Sequence, residues 1–183
     1  MGVLLERNAD LKALIRTIPD FPKPGIQFRD ITALLLDGPG FALTVDRLAE
    51  LARPLGVDLI AAVEARGFLF GAALAKELGV GVLPIRKRGK LPGKTVGVDY
   101  ALEYGTDRLE IHAHDLKPPQ RVLIVDDLIA TGGTVLATAS LIRLQGGVVA
   151  GALFVVDLPD LGGARRLEAA DIAVHSLVAF EGD

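Results

Sequence analysis

The sequence VLIVDDLIATGGT, residues 122–134, joins an apolar run to two adjacent aspartates and a loop of small residues. The run RVLIV (121–125) is rich in β-branched residues, which predicts a strand buried on both faces. Residues 133–147 have apolar residues at helical spacing and end in two glycines, which predicts a helix directly after the loop. The stretch therefore predicts a strand–loop–helix unit with two carboxylates where the strand ends.

The same alternation of strand and helix continues on both sides of this unit. Further strands are predicted at 57–63, 80–85, 148–156 and 172–180, and further helices at 66–79 and 163–170. Continuous apolar strands separated by helices indicate an α/β fold, an open and mostly parallel sheet with helices on both faces. One insertion interrupts the pattern: residues 95–103 and 107–114 alternate polar with apolar around YGTD and predict an antiparallel hairpin.

The first third of the chain has a different pattern. Residues 6–16 predict a helix that Pro19 stops, and residues 40–53 predict a second one. Between them lies PDFPKPGIQFRDIT, residues 19–32, where three prolines and a glycine predict an irregular segment. The 183 residues contain no linker or repeat, so we expect a single domain, 1–183.

Composition excludes several classes of function. The chain has no cysteine, which removes disulfides, thiolate metal sites and cysteine nucleophiles. Its net charge is −3 without a basic tail, which argues against nucleic-acid and membrane-surface binding. No apolar run approaches the roughly 18 residues of a membrane span, and the N-terminal residues turn polar too early for a signal peptide. We expect a cytoplasmic protein.

The loop after the two aspartates has the chemistry of a phosphate site. It consists of Ala130, Thr131, Gly132, Gly133 and Thr134. Backbone N–H groups at a helix N-terminus bind phosphate, and the loop lacks the lysine of a nucleotide P-loop, so a monophosphate is predicted. Asp126 and Asp127 can accept hydrogen bonds from vicinal hydroxyls and hold Mg²⁺ through water. Capping of a turn is the alternative, but unpaired carboxylates at a buried strand are costly. A sugar phosphate is therefore the predicted ligand.

VLIVDDLIATGGT resembles the phosphoribosyl pyrophosphate (PRPP) signature of the type I phosphoribosyltransferases. The resemblance implies that Asp126 and Asp127 bind the ribose hydroxyls and that residues 130–134 hold the 5′-phosphate. It also implies the fold of that family, an open sheet with a small N-terminal hood and a hairpin lid.

Two further strand ends resemble the pyrophosphate site of that family. VEARGFLFG (63–71) resembles its pyrophosphate loop, which implies pyrophosphate contacts from Glu64, Ala65 and Arg66, a cis Glu64–Ala65 peptide and a catalytic contribution from Arg66. RKRGKLPGK (86–94) has five cations in nine residues; a solvated basic loop is the alternative, but its place after a strand favours pyrophosphate neutralisation. Lys87 is the first candidate, with Arg88 and Lys90 contacting the ligand from a mobile loop or a partner subunit.

Residues 19–32, and IRKRGKLPG together with YALEYG, resemble the members of the family that act on adenine. This implies a purine-binding hood at 19–32, with contacts from Gln27, Phe28 and Arg29. It implies a hairpin lid at 91–114 that carries Tyr104, and Glu103 as a general acid/base at the purine N7. The implied reaction is adenine + PRPP ⇌ AMP + pyrophosphate in a homodimer, with Mg²⁺ held mainly by PRPP and water.

Two alternatives remain open from the residues. The same chemistry could act on a 6-oxopurine such as hypoxanthine, guanine or xanthine. A non-catalytic PRPP-sensing regulator would keep the site but should carry a basic helix-turn-helix extension, and here a short, charge-balanced helix precedes the hood. His112 and His114 share a predicted strand face, but a solvent-facing pair is favoured over a metal site because no third ligand is near.

Overall fold

The computed structural model describes residues 8–101 and 105–182. The helices are α1 (Ala9–Ala13), α2 (Thr32–Leu36), α3 (Gly38–Ala52), α4 (Gly67–Leu78), α5 (Gly133–Leu144) and α6 (Gly163–Glu168). The strands are β1 (Arg16–Pro19), β2 (Gln27–Asp30), β3 (Leu59–Val63), β4 (Gly81–Lys87), β5 (Thr95–Ala101), β6 (Thr106–His112), β7 (Arg121–Ile129), β8 (Val148–Asp157) and β9 (Val174–Ala179). None of the helices in these residues is long and apolar enough to span a membrane.

Seven of the strands form one sheet in the order β5-β6-β4-β3-β7-β8-β9. Five neighbouring strands run parallel: β4, β3, β7, β8 and β9. β6 is antiparallel to both β4 and β5. The predicted parallel sheet and the predicted hairpin are both confirmed. β4 and β7 lie on opposite sides of β3, so the winding direction reverses at β3. Ligands of open α/β sheets bind beyond the carboxyl ends of the strands at such a reversal.

Side chains of the central strands are buried on both faces of the sheet. On β7, Val122 and Ile124 pack on the face that α5 covers, whereas Leu123 and Val125 pack on the face that α3 and α4 cover. All four are fully buried. Alternate residues of a strand point to opposite faces, so a continuous apolar run is what a sheet covered on both sides requires.

The N-terminal region differs from its prediction. Within the described residues the predicted helix of 6–16 covers only Ala9–Ala13, and β1 pairs antiparallel with β2. The predictions of a helix through residue 16 and of irregular structure throughout 19–32 were therefore wrong. The three prolines stand at the end of β1 and in the turn that follows, where no ladder N–H is needed, so residues 27–30 remain free to pair.

Two strands are longer than their sequence patterns predicted. β7 continues to Ile129 because β8 keeps pairing with it as far as Asp157. Asp126 and Asp127 consequently belong to the strand and not to the loop after it. β4 continues to Lys87 because β6 pairs with its last two residues. Both extensions make side chains near the ligand edge part of the rigid sheet.

Candidate active site

Two adjoining cavities open at the carboxyl ends of β3, β4 and β7. The first, of ≈ 260 Å³, is lined by Glu64, Ala65, Arg66, Lys87, Tyr100, Asp107, Leu109, Asp126, Asp127 and Thr134. The second, of ≈ 190 Å³, is lined by Arg66, Asp126, Asp127 and residues 128–135. Four residues line both cavities: Arg66, Asp126, Asp127 and Thr134. The sheet thus brings together most of the residues that the sequence predicted for the sugar-phosphate and pyrophosphate sites.

The aspartate pair is held in an unfavourable electrostatic environment. Burial, reinforced by the negative charge of Asp127, raises the pKa of Asp126 well above its usual value. Burial also raises the pKa of Asp127, although the Arg66 guanidinium opposes this change. Arg66 Nε lies 2.9 Å from Asp127 Oδ2, but this buried oxygen accepts no hydrogen bond from any described residue. Hydroxyl donors or a hydrated cation would complete its hydrogen bonding.

The start of α4 packs directly against the strand end that carries the pair. Asp126 Oδ1 accepts a hydrogen bond of 2.9 Å from the backbone N–H of Asp127. A Cβ atom on Gly67 would lie 2.8 Å from this Oδ1 and 2.9 Å from the carbonyl oxygen of Val125. A glycine is therefore required here. Gly67 lies within VEARGFLFG, but the sequence pattern predicts no role for it, because a glycine is needed only where β7 approaches closely.

The loop predicted to bind phosphate, residues 130–134, lies between β7 and α5 and packs against α6. Gly132 has φ 78°, in the left-handed region, and α5 begins at the next residue. A Cβ atom on Gly132 would lie 2.6 Å from Leu167 Cδ1. Arg166 Nη1 donates to the carbonyl oxygen of Thr131 at 3.2 Å. The first N–H groups of α5 have no intrahelical acceptor, so the loop presents donors and the positive helix end to an anion.

Glu64 joins β3 to β4 at the first cavity. The Glu64–Ala65 peptide is cis, as the sequence predicted. Glu64 Oε2 accepts hydrogen bonds of 2.9 Å from Arg86 Nε and from the backbone N–H of Lys87. Burial alone would raise the pKa of Glu64, but these hydrogen bonds hold it below its usual value. The carboxylate therefore stays charged and fixes the backbone of Lys87 at the cavity.

The hairpin contributes three lining residues that sequence reasoning missed: Tyr100, Asp107 and Leu109. Tyr100 and Asp107 are cross-strand partners in the β5–β6 pair, and Tyr100 Oη donates to Asp107 Oδ2 at 3.3 Å. Asp107 Oδ2 is also 3.6 Å from Lys87 Nζ. Burial raises the pKa of Tyr100, so its hydroxyl keeps its proton at neutral pH. The alternation that predicted the hairpin puts Tyr100 on the face of Val96 and Val98, which pack on the core, and this signal could have found it.

Some predicted residues do not reach the cavities in this structure. Arg88 and Lys90 are exposed and line neither cavity. Glu103 and Tyr104 lie outside the described residues. Within residues 8–101 and 105–182, no group of three or more acidic or histidine side chains is arranged to hold a metal ion, and His112 and His114 belong to none.

The three residues predicted for the purine lie on β2. The Arg66 guanidinium is 5.6 Å from the centre of the Phe28 ring, so β2 runs beside the first cavity. The side chain of Arg29 is buried and bonds to residues that line neither cavity. Its guanidinium donates hydrogen bonds to Thr17 Oγ1 at 2.7 Å and to the carbonyl oxygen of Gly182 at 3.0 Å. Any contact from Arg29 to a ligand would therefore have to come from its backbone.

Paired carboxylates near the end of a parallel strand, followed by a loop of small residues at a helix N-terminus, are the arrangement that the sequence predicted for a class of protein that binds ribose phosphates. The chain belongs to the phosphoribosyl transferase domain family, which it matches over residues 33–171. It is 64% identical over 176 residues to the adenine phosphoribosyltransferase of Sphingopyxis alaskensis, with 96% of each chain covered.

Solved structures of the same kind resemble the fold closely. The crystal structure of adenine phosphoribosyltransferase from Thermoanaerobacter pseudethanolicus matches with a TM-score of 0.90 and 50% identity, over 94% of this chain and 99% of that one. The Saccharomyces cerevisiae enzyme, complexed with D-2,5-dideoxy-2,5-imino-altritol 1,6-bisphosphate and adenine, matches with a TM-score of 0.87 and 35% identity, over 97% and 100% of the two chains.

Proposed function

We propose that this protein is a purine salvage transferase that moves the 5-phosphoribosyl group of PRPP to adenine and releases AMP and pyrophosphate. The observation that carries the proposal is the position of Arg66, Asp126 and Asp127 between two adjoining cavities. PRPP carries a phosphate on C5 of a ribose and a pyrophosphate on C1, with the 2,3-diol between them. Relatives at up to 64% identity along almost the whole chain are adenine phosphoribosyltransferases, which supports adenine as the base.

In this proposal PRPP spans the two cavities. Asp126 and Asp127 accept hydrogen bonds from the ribose hydroxyls, which supply the donors that the buried Asp127 Oδ2 lacks. The 5′-phosphate lies on Ala130, Thr131, Gly132, Gly133 and Thr134 at the N-terminus of α5. Pyrophosphate lies in the first cavity against the backbone of Glu64 and Ala65 and against Arg66 and Lys87. Arg66 contacts both ends of the reacting bond and stabilises the charge that develops on the leaving group.

Adenine is proposed to lie beside β2, under a hood formed by residues 19–32. Each strand of the β1–β2 ribbon has only one neighbour, so half of the backbone groups of β2 remain available for the edge of a purine. Gln27 and Arg29 would read the base through their backbone, while Phe28 packs on its face. The contact between Phe28 and Arg66 supports a base held next to the reacting carbon.

Glu103 is proposed to act as the general acid/base at the purine N7. Adenine attacks through N9 as the bond from the ribose to pyrophosphate breaks, and the Glu103 carboxylate takes the proton from N7 of the ring or hydrogen-bonds to it there. Residues 91–114, including Tyr104, would close as a lid that keeps water from the ribosyl cation. In this protein Glu103→Gln should lower kcat about 10²-fold or more while the Kd for PRPP changes little. Single-turnover and binding measurements separate the two effects, and an unchanged kcat would remove Glu103 from the mechanism.

Mg²⁺ is the proposed cofactor. Four carboxylates line the first cavity against two cations, Arg66 and Lys87, so a free pyrophosphate group would meet net negative charge there. Mg²⁺ bound to PRPP neutralises this charge and stabilises the leaving group. PRPP and water would supply most of its ligands. Asp127 Oδ2, which pairs with Arg66 but accepts no hydrogen bond from the described residues, fits a contact to the metal's water shell.

Residues 1–183 are proposed to act as a single cytoplasmic domain that pairs into a homodimer. Large apolar side chains stay exposed on one chain, among them Leu36 at 81% and Leu69 at 47%, and an interface would cover some of them. The experiment for the activity is a Mg²⁺-dependent assay with PRPP and each purine base in turn. AMP formation from adenine is expected; turnover of hypoxanthine or guanine without AMP formation would assign the protein to 6-oxopurines.

A further inference from the structure

Asp107 has no role in the reaction described above, yet its carboxylate lines the proposed pyrophosphate cavity. Oδ2 lies 3.6 Å from Lys87 Nζ and 3.3 Å from the hydroxyl of Tyr100. The side chain of Asp107 is 25% exposed, whereas that of Lys87 is 54% exposed. An acidic residue at this place is unexpected, because a like charge weakens the binding of an anion.

The four carboxylates of the cavity differ in what they contact. Glu64 accepts hydrogen bonds from Arg86 and from the Lys87 backbone, and Asp127 lies beside Arg66. Asp126 accepts its hydrogen bond from the backbone of Asp127. Among these four carboxylates, that of Asp107 pairs with the Lys87 ammonium, the group that is proposed to receive pyrophosphate.

We propose that Asp107 is an internal counter-ion that competes with pyrophosphate for Lys87 and thereby weakens the binding of both PRPP and pyrophosphate. The inference rests on the proposed function. A phosphate oxygen that approaches Lys87 Nζ must share the ammonium charge with the carboxylate of Asp107 or push it aside, and the Tyr100 hydroxyl holds that carboxylate in place with a hydrogen bond. The site would release pyrophosphate more easily, although it would also bind PRPP more weakly. Faster release can raise turnover, because product release is the slow step in many enzymes.

The test is Asp107→Asn, which keeps the size of the side chain and removes its charge. Titration of pyrophosphate by calorimetry, with and without Mg²⁺, should give a Kd about fivefold lower than in the unchanged protein. KM for PRPP should fall by a similar factor, KM for adenine should not change, and the difference should shrink at high salt. Asp46→Asn is the control: this exposed carboxylate lies on α3, outside the cavity and the proposed lid, and the change should leave the pyrophosphate Kd unchanged.

A second pair of variants separates competition for Lys87 from general repulsion. In a Lys87→Met background, Asp107→Asn should tighten pyrophosphate binding by a smaller factor; a gain of the same size would overturn the competition. An unchanged or weaker affinity in Asp107→Asn alone would also overturn the proposal, as would a rise in the Mg²⁺ concentration needed for binding, which would assign Asp107 to the hydrated cation. If the unchanged protein binds neither pyrophosphate nor PRPP, the proposed function itself fails.

Discussion

At the scale of single residues, Asp126 and Asp127 lower the stability of the fold, and they are proposed to bind the ligand. Two neighbouring buried carboxylates in a strand cost free energy, because burial disfavours the charged form of both and the charge of Asp127 adds to this for Asp126. Arg66 offsets part of this cost from a guanidinium that is itself 44% exposed. A chain selected for stability alone would not place two acids here, so the pair is best explained by the ligand it is proposed to bind.

The first prediction follows from the raised pKa of Asp126. The folded protein holds this proton at a pH where the unfolded chain has released it, so the charged form costs stability above the folded pKa. Asp126→Asn should therefore raise the melting temperature at neutral pH by about 2–4 °C for each kcal/mol regained. This gain in melting temperature should shrink as the pH falls from the raised pKa of folded Asp126 towards 3.8, the ordinary pKa of aspartate. Thermal unfolding at several pH values measures it.

The same variant should bind PRPP at least about tenfold more weakly, since a ribose hydroxyl loses a charged acceptor. Asp46→Asn, which changes an exposed carboxylate on α3, serves as the control and should alter neither property. A lower melting temperature together with unchanged PRPP affinity would show that Asp126 supports the fold and not the ligand.

The second prediction concerns Gly67, where an added methyl group would meet Asp126 Oδ1 and the Val125 carbonyl oxygen. The contact is with rigid backbone on one side, so α4 must shift away from β7. Gly67→Ala should cost about 1–3 kcal/mol of stability and raise KM for PRPP. Gly38→Ala is the matched control, because a Cβ atom there has nothing within 4 Å. Equal stability and KM for the two variants would contradict the requirement for glycine.

At the scale of secondary structure elements, Arg29 ties the β1–β2 ribbon to the C-terminal segment. Its guanidinium reaches the carbonyl oxygens of Glu181 and Gly182 and lies 4.8 Å from the centre of the Phe180 ring. These contacts join residues more than 150 positions apart in the sequence. The proposed purine hood therefore depends on the C-terminal segment for its position.

Arg29→Ala should accordingly raise KM for adenine more than KM for PRPP, because β2 is released while the phosphate sites keep their own elements. A stability loss of about 1–3 kcal/mol is expected from the lost hydrogen bonds to a buried charged group. Steady-state kinetics with each substrate varied, together with thermal unfolding, measure both effects. Arg53→Ala removes a surface pair with Glu77 and should change neither KM. Equal rises in both KM values would argue against a hood specific for the base.

At the scale of the whole molecule, the parallel sheet could be predicted because each strand is a continuous apolar run between helices. The site residues at the ends of β3, β4 and β7 followed from the same pattern, since parallel strands end at one edge. Tertiary pairing could not be predicted in this way. β1 and β2 form because they meet each other, and Asp107 reaches Lys87 because the hairpin returns beside β4. Such contacts depend on register and on distant partners, which local periodicity does not contain.

The last prediction concerns the assembly. Arg88 and Lys90 carry charge next to the ligand edge but line neither cavity of their own chain. If the protein is a homodimer, its mass in solution should be twice 19.3 kDa, and these cations should serve the site of the partner subunit. A heterodimer can test this with one unchanged chain and one that carries both Lys90→Ala and Asp127→Asn. If Lys90 acts across the interface, both sites are impaired, and the residual kcat should fall well below half. If Lys90 acts within its own chain, one site stays intact. A kcat of half the normal value would place Lys90 in the site of its own chain, and a monomeric mass at working concentrations would exclude the shared site altogether.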